Sequence, residues 1–170
     1  MNLIINENKK TRELIMNQLT LLQKQISELS QKLNVNNINN QQELINKNWR
    51  YVGQVVNGLP EGKGIGFWND GQRYAGDFRN GLKEGKGIGY FNNGDRYEGD
   101  HRNDKAEGKG IYYKNNGDRY EGDYKNVIRQ GKGIIYFHNG DRIMGDYYNG
   151  NPIGKHVMLS RNGEVKTYNY

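Results

Sequence analysis

The chain has 170 residues, only 34% of them hydrophobic, and a mean hydropathy of −1.05, which is thin material for an ordinary two-layer core. Its 24 glycines and 13 tyrosines against two prolines exclude both a disordered and a collagen-like profile and point to a turn-rich β structure. Cysteine is absent, which rules out disulfide and thiolate chemistry and fits a reducing compartment, and the net charge of +6 is a weak bias toward acidic partners because acids are interleaved with bases.

The start, MNLIINENKK, lacks the uninterrupted apolar core of a signal peptide. No apolar run approaches the ~20 residues that span a bilayer. A soluble, cytoplasmic chain is therefore expected. Residues 1–48 contain no repeat and form an N-terminal helical segment with an Asn-rich linker. A helix is predicted over about 11–34, where Ile15, Leu19, Leu22, Ile26, Leu29 and Leu33 step by 4, 3, 4, 3 and 4. That spacing is the a/d stripe of a coiled coil. Two readings follow: the helix folds onto the sheet or its first edge strand, or it pairs with a helix of another chain. The run NVNNINNQQ ends the helix, and Asn40 with Glu43 predicts a short capped second helix through Asn48.

From residue 49 to 170 the sequence repeats every 23 residues. GDRYEGD stands at Gly94–Asp100 and again at Gly117–Asp123. Five copies start at Tyr51, Tyr74, Tyr97, Tyr120 and Ile143. Each carries a glycine two residues on, and four carry a Gly-Lys-Gly step, which becomes Gly154-Lys155-His156 in the fifth. Asp70-Gly71, Asn93-Gly94, Asn116-Gly117, Asn139-Gly140 and Asn162-Gly163 predict type I′ hairpin turns. A second turn lies near Asn57-Gly58, Asn80-Gly81 and Asn149-Gly150. It is expected to vary where Asn103-Asp104 and Asn126-Val127 replace the glycine.

Two turns per copy leave two strands, so the fold is predicted to be mainly β, an antiparallel meander of about ten strands. Alternation puts Tyr74, Gly76 and Phe78 on one face and Arg73, Ala75 and Asp77 on the other. Stacked copies build an aliphatic column (Ile65, Ile88, Ile111, Ile134, Val157) and an aromatic column (Phe67, Tyr90, Tyr113, Tyr136, Leu159). A glycine inside a strand needs a reason. The expected reason is that tyrosine rings lie on the bare main chain of neighbouring strands, so that a sheet one layer thick buries surface without a second layer.

The pattern Y-E-G-D-x(8)-G-K-G-x(6)-G at this period resembles the MORN repeat (membrane occupation and recognition nexus), over Tyr51 to about Val165. The fifth copy departs from it, with Ile143 for Tyr and His156 for Gly. The resemblance implies an elongated, single-layer antiparallel sheet of about five hairpin repeats with a groove along one face. It also implies a non-catalytic role in assembly, as in cytoskeletal, ciliary and radial-spoke scaffolds or membrane-tethering proteins.

The residues themselves point the same way. His101, His138 and His156 occupy different positions in the repeat, so no metal column forms. Asp77, Asp100, Asp123 and Asp146 recur with the period, whereas a catalytic pair should break it. They are expected to pair with Arg73, Arg96, Arg119 and Arg142. Gly-Lys-Gly is not followed by the helix that a phosphate loop requires. No enzyme activity, cofactor, metal, small-molecule substrate or nucleic acid is expected. The expected partners are other protein chains, in a hetero-complex or a homodimer, docked on Phe67, Tyr90, Tyr113, Tyr136, Tyr74, Tyr97 and Tyr120, and on the helix stripe. A second reading gives the lysine column Lys63, Lys86, Lys109, Lys132 and Lys155 to acidic phospholipid. In that reading Glu61, Glu84 and Glu107 dilute the column's field.

Overall fold

A computed structural model describes residues 15–18, 20–24 and 41–170. Two compact units meet in the chain at Gln41 and Gln42. In the first, 15–18 and 20–24 form one short helix, α1, with Ile15 and Leu22 exposed. Leu19, Ile26, Leu29 and Leu33 lie outside the described residues. Among the described residues, no helix is long and apolar enough to cross a membrane.

The second unit is one sheet of twelve antiparallel strands, each paired with its sequence neighbours. They are β1 (Gln42–Ile45), β2 (Trp49–Val56), β3 (Leu59–Trp68), β4 (Arg73–Arg79), β5 (Leu82–Tyr90) and β6 (Arg96–Arg102). These continue as β7 (Lys105–Tyr113), β8 (Arg119–Lys125), β9 (Ile128–Tyr136), β10 (Arg142–Tyr148), β11 (Asn151–Leu159) and β12 (Val165–Asn169). The predicted capped helix near Asn40–Asn48 is instead β1. Leu44 pairs with Tyr51, and the side chain of Asn46 accepts the amides of Asn48 and Trp49 to turn the chain back. A four-residue Gln-Glu-Leu-Ile segment has no preference strong enough to resist an open strand edge.

Register explains the glycines. Gly53, Gly64, Gly76, Gly87, Gly99, Gly110, Gly122, Gly133 and Gly145 pair one to the next across nine strands. Tyr51, Tyr74, Tyr97 and Tyr120 lie flat along this column, as expected. A Cβ on Gly76 would stand 2.5 Å from the Tyr74 hydroxyl and 2.6 Å from the Gly87 main chain. Tyr51, Tyr74 and Tyr97 also donate a hydroxyl proton to the carbonyl oxygen of Gln54, Asp77 and Asp100, at 3.0–3.2 Å.

The buried layer is a zigzag of rings that ends at the exposed Tyr170. Tyr51, Phe78, Tyr74, His101, Tyr97, Tyr124, Tyr120, Tyr147, His156 and Tyr170 touch in that order. The nine contacts are edge-to-face, with centroids 4.8–5.4 Å apart. Each such pair contributes ~0.5–1.5 kcal/mol beyond its buried area. At β10 the pattern inverts. Ile143 stands where the tyrosine would be, and the ring arrives from the next strand as His156, lying against Gly145. The two departures from the repeat compensate each other.

The first glycine of Gly-Lys-Gly has a different task. Gly62, Gly85, Gly108, Gly131 and Gly154 all have positive φ. At each, the register to the preceding strand slips by a β-bulge. The two turns also exchange roles relative to expectation. The positive-φ pair of a type I′ turn sits at Asn57-Gly58, Asn80-Gly81, Asn103-Asp104, Asn126-Val127 and Asn149-Gly150. The conformation does not vary where glycine is missing, and Val127 is held at φ 72°. At Gly71, Gly94, Gly117, Gly140 and Gly163 only the glycine is left-handed. These are three-residue loops closed by bonds such as Trp68 N–H to the Gln72 carbonyl, 2.9 Å.

Side chains fasten each repeat to the next along both sides of the sheet. Glu61, Glu84 and Glu107 accept the amides of Asn80, Asn103 and Asn126 at 2.9–3.2 Å. Asp95, Asp118 and Asp141 accept those of Asn115, His138 and Arg161 at 2.7–2.9 Å. The Tyr112 hydroxyl and then the Asn115 amide hold the Asp95 carboxyl below the usual carboxylate range.

Candidate partner-binding groove

Because side chains alternate, the face opposite the buried rings carries the other half of every strand. It forms an open groove of about 830 Å³. Its floor is the glycine column, and an apolar rail of Ala75, Ile88, Ile111 and Ile134 runs along it. Glu98 and Glu121 interrupt that rail between the isoleucines.

One flank is a charged rail. Lys63, Lys86, Lys109 and Lys132 meet Asp77, Asp100, Asp123 and Asp146 at 2.8, 3.0, 2.5 and 3.5 Å. The aspartates therefore pair with the lysines and not, as expected, with the arginines. Their cross-strand partner is the lysine between the two glycines, because the unbroken ladders β3–β4, β5–β6, β7–β8 and β9–β10 set each lysine directly opposite an aspartate. The glutamates expected to dilute the lysine column are engaged with turn amides instead. Lys155 continues the column on β11 and is exposed.

The arginines belong to the other flank, with the aromatic column. Arg50 lies 5.4 Å from the Phe67 ring centroid, Arg73 4.0 Å from Tyr90, Arg96 4.1 Å from Tyr113 and Arg119 3.8 Å from Tyr136. Phe67, Tyr90, Tyr113 and Tyr136 are half-buried, each beneath a planar cation.

The sequence grouped two sets of rings as one docking surface, and the structure separates them. Tyr74, Tyr97 and Tyr120 are buried on the opposite face, at 0%, 3% and 2% exposure, and offer nothing to a partner. Burial raises all three hydroxyls, Tyr120 to about 12. The centre of the groove is part of the aliphatic column expected from the sequence, which assigned it no partner. The available signal was parity: Ile88 lies one residue past the ring-bearing glycine, so it must face away from the ring. The three histidines stay apart, His101 and His156 within the ring layer and His138 at a turn beside Asp118, 3.1 Å away.

The groove thus offers an apolar centre, a line of neutralised ion pairs and a line of stacked guanidinium groups. It runs across the strands from β3 to β9. Among solved structures, the SAS-4 (dCPAP) TCP domain of Drosophila melanogaster, in complex with a proline-rich motif of Ana2 (dSTIL), is similar to this chain. The two share 12% identity over 76% of this chain and 90% of that one, at a TM-score of 0.39. No curated protein sequence matches the chain. The family model described as MORN repeat matches residues 51–73, 74–96, 97–119 and 120–142, more than half of the sequence. The chain belongs to the MORN-repeat family.

Proposed function

We propose that this protein is a non-enzymatic scaffold subunit that holds a segment of another protein chain in its groove, with residues 143–165 as a fifth, diverged repeat. The observation that carries the reading is the rail Ala75, Ile88, Ile111 and Ile134, an apolar line broken only by Glu98 and Glu121 and left open between two polar flanks. A docked helix or extended segment would cover it, while the stacked arginines would meet acidic side chains at the margin. The heptad stripe from Ile15 to Leu33 supplies a second, separate place for another helix to pair. A cytoskeletal or ciliary assembly is the setting that such a subunit suits.

MORN repeats also serve as membrane modules, so acidic phospholipid is the competing ligand. Four of the five column lysines already hold an aspartate, which weighs against it. One experiment separates the two readings. The wild type and Ile111→Asp are compared in cross-linking mass spectrometry from the native source and in co-sedimentation with anionic vesicles. The scaffold reading expects cross-links that map to the groove and vanish in Ile111→Asp, with no vesicle binding. Salt-sensitive vesicle binding by both proteins, without groove cross-links, would overturn it.

A further inference from the structure

On the ring face, near the first repeat, the period breaks at several positions that meet in space. Trp49 stands where later copies have Gln72, Asp95, Asp118 and Asp141. Trp68 stands where they have Phe91, Lys114, Phe137 and Ser160. Asp104 replaces the turn glycine and keeps its left-handed conformation at φ 67°. Phe78, a member of the ring zigzag, lies beside them at a position that varies among the copies as Val55, His101, Tyr124 and Tyr147. These residues, with Tyr51 and Pro60, enclose a cleft of about 180 Å³. A structural position should obey the repeat, and a site for one ligand should break it.

The chemistry of the walls selects the ligand. Two indoles, a phenol and a phenyl ring line the cleft, with Tyr51 and Phe78 themselves buried, and Asp104 supplies one negative charge there. The chain itself shows what such a ring attracts: Lys83 Nζ lies 4.5 Å from the Trp68 ring centroid and 5.4 Å from that of Tyr74. The main-chain N–H of Lys83 donates to Asp104 at 2.9 Å. Burial pulls the Lys83 ammonium below its ordinary range, and Asp104 and Asp70 pull it back.

We propose that this cleft is a second binding site, on the opposite face from the groove, for a methylated ammonium side chain such as a trimethyllysine of a partner protein. A trimethylammonium is weakly hydrated and needs no hydrogen-bond acceptor, so aromatic faces and one carboxylate satisfy it. A plain ammonium would leave three donors with one acceptor, and a guanidinium five. Both would lose more hydration than the cleft returns.

The chain reports on its own site, because its only two tryptophans both line the cleft. The full-length protein is titrated with N-acetyl-trimethyllysine methyl ester while indole emission is followed. A saturable change with a millimolar-range Kd is expected. The unmethylated ester and the uncharged tert-butyl isostere should bind ~10-fold more weakly or worse. Asp104→Asn, which Asn tolerates at positive φ, should weaken binding ~3–10-fold at unchanged circular dichroism. Lys83→Met, which removes the competing cation, should tighten it. The proposal is overturned by an emission that does not saturate. It is equally overturned by an isostere that binds as well as the cation, or by an Asp104→Asn protein that binds like wild type.

Discussion

The two faces of this sheet are built from the same strands and nearly the same residue types, yet they do opposite things. On one face Tyr51, Tyr74, Tyr97 and Tyr120 each find a glycine seat and disappear. On the other, Phe67, Tyr90, Tyr113 and Tyr136 have no glycine seat and stay half-open beneath arginines. Whether a tyrosine is core or surface is decided here by what its neighbours lack. That lets a ribbon one layer thick hold a stable spine and still leave an apolar line unoccupied.

Two glycines of this sheet sharpen the contrast most. A Cβ at Gly99 would meet the Lys109 carbonyl oxygen at 2.5 Å and the Gly110 main chain at 2.6 Å, neither of which can move aside. At Gly89 the same atom would meet nothing within 4 Å. Gly99→Ala should cost ~2–4 kcal/mol in urea unfolding. Gly89→Ala should fall within ~0.5 kcal/mol of wild type, or stabilise.

The ring face should also be the acid-sensitive one. Burial holds the His101 imidazole below its ordinary value of 6.5. Above that pH both folded and unfolded states carry it neutral, and no penalty arises. As pH falls below it, the unfolded chain takes up a proton that the folded chain refuses, so stability drops. The loss is at most about 1.4 kcal/mol per pH unit for this one group. Urea midpoints at pH 7.5 and 5.5 should lie closer together in His101→Phe, which carries the residue that Phe78 supplies at the equivalent position. An unchanged gap would remove His101 as a cause.

A further modest effect lies in a turn. Val127 is β-branched and exposed at φ 72°, a conformation that the other copies give to Gly58, Gly81, Gly150 or Asp104. Val127→Gly should raise stability by about 1 kcal/mol, read as a shift in the thermal midpoint.

Much of this architecture was legible in the sequence, and the parts that were not share a cause. The period, the meander and the seating of rings on glycines all follow from residues that recur. Which tyrosines would be buried did not follow, because phenol rings suit either environment and both sets recur equally well. The Asp–Lys pairing was hidden because lysines and arginines recur at the same period, and only the register of the unbroken ladders decides which cation stands opposite each aspartate. The turn types were exchanged because Asn-Gly fits two hairpin geometries. Strand β1 was missed because four residues with one turn-forming asparagine carry little periodic signal. The period-breaking cluster around Trp49 and Trp68 was visible as departures from the repeat, but only folding brings its members together.

The central claim is that ring and glycine hold each other in place. Gly110 tests it most directly, because the three atoms nearest to its missing Cβ all belong to the Tyr97 side chain. A double-mutant cycle in urea compares Gly110→Ala, Tyr97→Ala and the pair. Tyr97→Ala alone should cost ~3–5 kcal/mol. Gly110→Ala should cost ~2–3 kcal/mol in the wild type and almost nothing once Tyr97 is gone, a coupling of at least ~2 kcal/mol. If the two costs simply add, the ring does not rest on the glycine and the account of the sheet is contradicted.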